Sequence, residues 1–312
     1  MPQSIDRDQV DPAPDLRAIQ ADLERFYPDI ERDFTPLLTR IGYGPKACRE
    51  AAVDYLNVGR TLEQVSLLER YSGSIKDKRI LEVGSGFGLF VAFTNRYLGA
   101  RTSGIEPAET EFESTYQLSV KILGSWSVDT GLIKRGRGEE IPFSDGSFDI
   151  VYSTNVLEHV QDPVRVVRES IRVLKPGGIL QFIVPNYGSF WEGHYAVPWI
   201  PYMSKGVAKA YIRAIGRDPW FIDTLCLINY FSLKKILTPY LDRNDVEIVD
   251  WGGGLFVERM TKLNFSEWGG LSALKRWVQA AHKLGVTGPL SRVLVALKAH
   301  TPIVMTLKKR AR

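Results

Sequence analysis

Apolar residues along this chain change their period more than once. From Leu16 to about Tyr71 they recur at three and four residues, as in Leu16, Ile19, Leu23 and Phe26, then Val53 and Leu56, then Val65 and Leu68. That spacing predicts a cap of helices over 16–74. Short apolar runs near 79–83, 101–105, 131–134, 147–153 and 178–184 then alternate with helical stretches as far as Asn186. Such alternation predicts an α/β domain with a mostly parallel sheet and right-handed crossovers. Beyond Pro185 and Asn186 the periodicity breaks, and six aromatic residues fall in the sixteen positions 187–202. This predicts a lid over 187–229. Helical patterning returns over 230–241, followed by a strand at 246–250, a helical insertion over 255–300 and a final strand at 303–308. The first fifteen residues, with prolines at 2, 12 and 14, predict disorder.

A length of 312 residues suffices for one large core with additions. The two cysteines, Cys48 and Cys226, have no partners at metal-ligand spacing and build no disulfide framework, so a reducing cytoplasm is the expected setting. The N-terminal stretch is polar and acidic, which predicts no signal peptide, and no apolar run reaches membrane-spanning length. The net charge of +4 is unevenly spread: over 262–312, ten Lys or Arg stand against the single acid Glu267. Such a segment suits phosphates, and an anionic membrane surface is the expected peripheral partner if it is more than a solvated face. No basic and aromatic RNA-binding module is present, which argues against nucleic acid. The sequence does not fix an oligomeric state.

The candidate chemistry begins at 79–90, R-I-L-E-V-G-S-G-F-G-L-F. Ile80, Leu81 and Val83 form a short buried run. Gly84, Ser85, Gly86 and Gly88 then make a tight turn into the helical run 89–98, whose N-terminus presents free N–H groups to a ligand. A nicotinamide-dependent enzyme is the competing reading, but a dinucleotide fingerprint would place its third glycine at 89, where this chain has Leu89, which disfavours it. Glu82 puts a carboxylate beside the turn, which suits a ligand carrying a sulfonium and an ammonium and would repel a pyrophosphate. Glu106 closes the next strand 22 positions after Gly84, where a carboxylate can accept hydrogen bonds from ribose hydroxyls.

Further along stand G-R-G-E-E-I-P-F-S-D-G-S-F-D-I-V-Y-S-T-N-V-L-E-H-V at 136–160 and L-K-P-G-G at 174–178. Together with E-V-G-S-G-F-G and I-E-P at 105–107, these motifs resemble the class I S-adenosylmethionine-dependent methyltransferases, strongly over about 75–186. The resemblance implies a doubly wound, mostly parallel seven-stranded, Rossmann-like sheet and S-adenosylmethionine as cofactor. It implies that Glu82, Gly84, Ser85, Gly86 and Gly88 face the amino acid part of the cofactor, Glu106 and Pro107 the ribose, and Gly138 and Glu139 the adenine, with Asn155 beside them. Many relatives have Asp-Ala where this chain has Arg137 and Gly138, so an Asp contact to adenine is missing. A non-catalytic cofactor-binding protein is a further alternative.

In an open α/β sheet, ligands lie beyond the carboxyl ends of the strands, so Ser153, Thr154 and Asn155 are expected beside the transferring methyl group. Methyl transfer needs alignment above all, and a hydroxyl acceptor also profits from a base. Of the four histidines, His194 in the lid is the expected base, with His159 as its rival and Glu158 as orienting group. Glu158 and His159 alone make an incomplete metal site, so no metal is expected; quinone-biosynthetic O-methyltransferases, similar around L-E-H-V, carry an acid where this chain has Asn155. Trp191, Tyr195 and Trp199 are expected to form a substrate platform. The run from 185 to 201 is similar to lids of methyltransferases of cell-surface glycan synthesis. It implies O-methylation of a glycan or lipid-linked saccharide, with a phenol or quinone precursor as the alternative acceptor.

Overall fold

The computed structural model describes residues 15–108, 113–263 and 272–311. The N-terminal positions 1–14, expected to be disordered, lie outside the described residues, as does 264–271 within the expected insertion. Four helices open the described chain: α1 Leu16–Leu23, α2 Tyr27–Arg40, α3 Pro45–Tyr55 and α4 Val58–Ser72. Asp15 starts α1 by accepting from the backbone N–H groups of Arg17 and Ala18, and Asn57 does the same for α4 through Arg60, as small polar N-caps do.

The sheet region follows as β1 Arg79–Val83, α5 Leu89–Tyr97, β2 Arg101–Glu106, α6 Glu113–Ser125, β3 Ile133–Arg135, β4 Phe148–Thr154, α7 Pro163–Val173 and β5 Leu174–Val184. The hairpin β6 Trp191–Glu192 and β7 Val197–Pro198 comes next, then α8 Lys205–Ala214, α9 Trp220–Thr224 and α10 Tyr230–Asp242. The chain closes its sheet with β8 Val246–Asp250 and β9 Ile303–Lys309, separated by α11 Gly253–Lys262, α12 Ser272–Lys283 and α13 Thr287–Ala296.

Seven strands form one sheet in the order β3-β2-β1-β4-β5-β9-β8. All neighbours are parallel except at β9, which runs antiparallel to both β5 and β8. Because successive side chains leave a strand on opposite sides, Leu81, Val151 and Phe182 pack with α7 and α10 on one face. Their neighbours Ile80, Tyr152 and Ile183 pack with α4, α5 and α11 on the other. The strand order reverses between β2-β1 and β4, so the crevice for a ligand opens beyond the carboxyl ends of β1 and β4.

Two strands differ from expectation at their starts. Asp129 accepts from Gly131 N and winds Thr130–Leu132 into a 3-10 turn, delaying β3 to Ile133. Leu174 pairs with Phe148 ahead of a bulge, so β5 begins four residues before the expected 178. The lid is also more regular than its broken periodicity suggests, since it holds a hairpin and two helices. Its core of Tyr187, Tyr195, Trp199, Ile212 and Phe221 is shared with Leu38 and Ile41 of the N-terminal helices. The ion pair Arg40–Asp218, at 2.6 Å, joins the same two regions.

Candidate active site

The glycine turn after β1 is built against both neighbouring strands. The N–H groups of Gly84 and Ser85 donate to Ile105 O at 3.0 Å, and Gly86 N donates to Glu106 Oε2 at 2.8 Å. Gly84 has φ +73°, and a Cβ there would lie 2.4 Å from Val156 Cγ2. Gly86 has φ +51° with nothing within 4 Å of an added Cβ, so its free side faces open space where a ligand can approach the backbone. Ser85 turns inward, toward Ile105 O and over Gly104.

Two buried carboxylates flank this turn. Glu82 is 5% exposed and its Oε2 has no hydrogen-bond partner. Burial pushes its pKa well above the usual range, and the charge of Glu106 adds to the effect. Burial also lifts Glu106 to about 7 against the opposing hydrogen bond from Gly86. A buried, unpartnered carboxyl is costly unless something completes it. A cation beside Glu82 and hydroxyls on Glu106 would complete both, so the residues present fit the charge pattern of S-adenosylmethionine.

On the expected adenine side, Gly138 is wedged between Val83 and Val166, each 3.1 Å from a Cβ built there. Glu139, expected beside the adenine, accepts through its Oε1 from Gln161 N at 2.9 Å and Asp162 N at 3.3 Å. It thereby anchors the turn that leads into α7, whose N-cap is Asp162. A cleft of about 540 Å³ runs along this segment, lined by Gly136, Arg137, Ile141 and Pro142 among others.

Beyond β4 the chain turns at once. Asn155, exposed and at φ +52°, donates its N–H to Ile183 O at 2.8 Å, and Ser153 Oγ is spent on Val83 O. The next turn carries Glu158 and His159, braced by Cys226, whose N–H donates to Glu158 O at 2.6 Å and whose thiol donates to Val160 O. Here the lid supplies its histidine. The rings of His159 and His194 meet edge to face at 5.2 Å, and both contact Phe221.

His194 Nδ1 lies 2.8 Å from Glu192 Oε1, and Tyr187 Oη stands 3.4 Å from the same nitrogen. Glu192 is fully buried at its side chain and also accepts from the N–H groups of His194 and Tyr195. The short β6–β7 pairing of Glu192 with Val197 folds the loop so that carboxylate and imidazole meet. Burial opposes charge on both partners, but the ion pair outweighs it, raising His194 and lowering Glu192. His159 Nε2 lies 3.9 Å from Glu158 Oε1, beyond hydrogen-bond distance; burial, reinforced by the charge of His194, drives it down to about 3. Glu158 is completely buried with neither oxygen hydrogen-bonded, and burial lifts it to about 7. Ligand atoms of Glu158, His159 and His194 all lie within 4.8 Å of one another.

The fold thus brings Glu158, His159 and His194 together and adds Glu192 and Tyr187, which sequence reasoning missed. The spacing E-G-H at 192–194 was the available signal. The expected aromatic platform takes another form. Tyr195 is 0% and Trp199 3% exposed in the lid core, where packing against Tyr187 and Phe221 occupies their faces. Only Trp191 stays partly open.

Residues 81–182 match the sequence profile of a family described as a methyltransferase domain. This segment is a class I methyltransferase domain. An uncharacterized methyltransferase of Mycobacterium sp. (strain KMS) is 39% identical over 103 residues, which cover 33% of this chain and 36% of that relative. An uncharacterized methyltransferase of Mycobacterium leprae is 36% identical over 117 residues, covering 37% and 39%. The chain therefore spans little more than a third of the curated relatives it matches. A crystal structure of geranyl diphosphate C-methyltransferase from Streptomyces coelicolor A3(2) aligns over 88% of each chain with a TM-score of 0.49 and 13% identity. The methyltransferase domain holds the glycine turn, Glu82, Glu106, Glu158 and His159, whereas Glu192 and His194 lie beyond the matched segment.

Proposed function

We propose that this chain transfers the methyl group of S-adenosylmethionine to a hydroxyl of a small-molecule acceptor, with a glycan or lipid-linked saccharide as the acceptor class. The observation that carries the reading is the His194–Glu192 pair packed against His159 beyond the carboxyl end of β4. When bound, the cofactor supplies a methyl group on a sulfonium, already a good leaving group. Glu82 faces its positive charge, and Glu106 receives the ribose hydroxyls. His194, its Nδ1 side turned to Glu192, takes the acceptor hydroxyl proton on Nε2 as the oxygen gains the methyl group. The imidazolium so formed sits between the carboxylates of Glu192 and Glu158, which favour its charge. His159, held neutral, lines the same space.

Support for the saccharide class comes from the partly open Trp191 and from His194 in the lid, and the basic segment 262–312 suits work at an anionic surface. None of the described helices is long and apolar enough to cross a membrane. The test is transfer of label from methyl-labelled S-adenosylmethionine to cell-envelope, small-phenol and RNA fractions. Label in the envelope fraction, lost in His194→Ala, supports the proposal. Label in phenols alone moves the acceptor to an aromatic ring, and label in RNA alone ends both readings.

A second reading is favoured by the oxygens of Glu158, neither of which is hydrogen-bonded. With His159 and His194 they could hold a divalent cation that polarises the acceptor oxygen. Metal analysis of the purified protein, followed by chelation and activity measurement, separates the two: stoichiometric metal and chelator-sensitive transfer would displace the free-base mechanism.

A further inference from the structure

The segment from Leu284 to Leu297 is folded the wrong way round for water. Leu284, Val286, Leu290, Val293 and Leu297 are 77, 45, 47, 53 and 59% exposed, while Thr287 and Ser291 are buried at 4 and 0%. Positions 286, 290, 293 and 297 are spaced by four, three and four residues, which places them on one side of α13. The opposite side is held by the body of the protein. There, α11 and α13 pack so closely that a Cβ on Gly253 would lie 2.7 Å from Val295 Cγ1. A contiguous apolar face of this kind on a soluble domain marks an interaction surface.

Charge identifies what fits it. Lys283 and Arg292 are exposed beside the apolar face, Lys298 follows half-buried, and no Asp or Glu occurs between 268 and 312. A second copy of this face would set cations against cations. Nucleic acid would satisfy the cations and leave the apolar side chains in water. An anionic bilayer satisfies both, with phosphates at the cations and the acyl boundary at the leucines and valines.

We propose that α13, with the turn before it, docks this protein onto an anionic phospholipid bilayer. Its C-terminal end is tied to the catalytic end of the sheet: Asn186, just past β5, donates its Nδ2 hydrogens to Lys298 O and His300 O, each at 2.8 Å. Docking therefore sets the carboxyl edge of the sheet close to the bilayer. Resting on the proposed hydroxyl methylation, this placement makes the acceptor a lipid-linked molecule approached from the membrane surface.

Cosedimentation of the full chain with vesicles tests the docking without any assay of methyl transfer. Vesicles of phosphatidylcholine with about one-third phosphatidylglycerol should carry the protein down, and pure phosphatidylcholine vesicles should not. The double variant L290E/V293E should lose at least tenfold in vesicle affinity, and Arg292→Glu severalfold. Unchanged thermal stabilisation by adenosylhomocysteine shows that the variants remain folded. No sedimentation with either vesicle overturns the proposal, as does equal binding by L290E/V293E. If L290E/V293E instead converts a dimer into a monomer, or the protein binds RNA and no vesicle, the face belongs to a second copy or to nucleic acid. Vesicle binding without envelope methylation would uphold the docking and sink only the saccharide reading.

Discussion

Glu192 Oε1 and His194 Nδ1 stand 2.8 Å apart in the β6–β7 hairpin, two residues from one another in sequence and with His159 edge to face against the imidazole. A carboxylate on one ring nitrogen fixes the tautomer and leaves the other nitrogen to act.

From this pair a ranking of variants follows. His194→Ala is expected to lower turnover by roughly a hundredfold to ten-thousandfold with cofactor affinity nearly unchanged. Glu192→Gln keeps the shape but removes the charge, so its loss should be smaller and confined to turnover. His159→Ala should cost least of the three. Steady-state kinetics beside calorimetric cofactor binding checks the order, and a larger effect at His159 would move the base there.

The cofactor turn gives a binding prediction. Gly86 borders open space at a positive φ, so Gly86→Arg should abolish binding of adenosylmethionine and adenosylhomocysteine without unfolding the protein. Glu106→Ala should weaken both ligands. Calorimetry that finds Gly86→Arg binding normally would remove the turn from the cofactor site.

Two carboxyls beside that turn have raised pKa values, so ligand affinity and stability should respond to pH in opposite directions. Burial, with the charge of Glu106 added to it, raises the pKa of Glu82, and a cationic ligand favours its ionised form. Affinity for adenosylmethionine should therefore rise with pH through the pKa of Glu82, with a proton released on binding. In the unliganded protein the folded state holds more protons than the unfolded state between the ordinary carboxyl pKa and the raised one. Its stability should accordingly fall as pH rises from about 4.5 to about 7, the raised value of Glu106, because the folded state must then ionise buried groups. Melting curves of the native chain and of Glu106→Gln, in which this slope should flatten, test the sign.

The lid aromatics should divide by burial. Tyr195 is fully buried, and its hydroxyl donates to Asp218 O at 2.7 Å, so Tyr195→Ala should cost about 3–5 kcal/mol of stability. Trp191→Ala should leave melting nearly unchanged and raise the KM for the acceptor. Thermal unfolding and kinetics on the two variants distinguish a packing residue from a contact residue.

Local chemistry explains what the sequence disclosed and what it hid. The β1 run, the glycine turn and Glu106 were legible because a strand, a tight turn and a strand-end acid lie within one continuous stretch. Glu158 and His159 were legible as chemistry, but their third partner comes from a hairpin 35 positions later in the chain, a closure no local pattern carries. Glu192 carries no evident role in the sequence because a carboxylate among aromatics looks solvent-bound until the two-residue strands pair. The helix α8 did leave a signal: Ser204 caps it, and Ala208 and Ile212 repeat at four residues. The inward turn of Tyr195 and Trp199 depended on the N-terminal helices, which supply the other half of their core.

The place of β9 inside the sheet has a consequence for biosynthesis. Residues 303–309 fill the slot between β5 and β8, so while a ribosome is still making them, β5 has an open edge and β8 has no strand to pair with. The cofactor turn and the first five strands can assemble early, but that edge stays available to any other extended chain until the last slot is filled. Fusions or truncations that perturb 303–309 should thus show up first as aggregation during expression, rather than as a milder loss of activity.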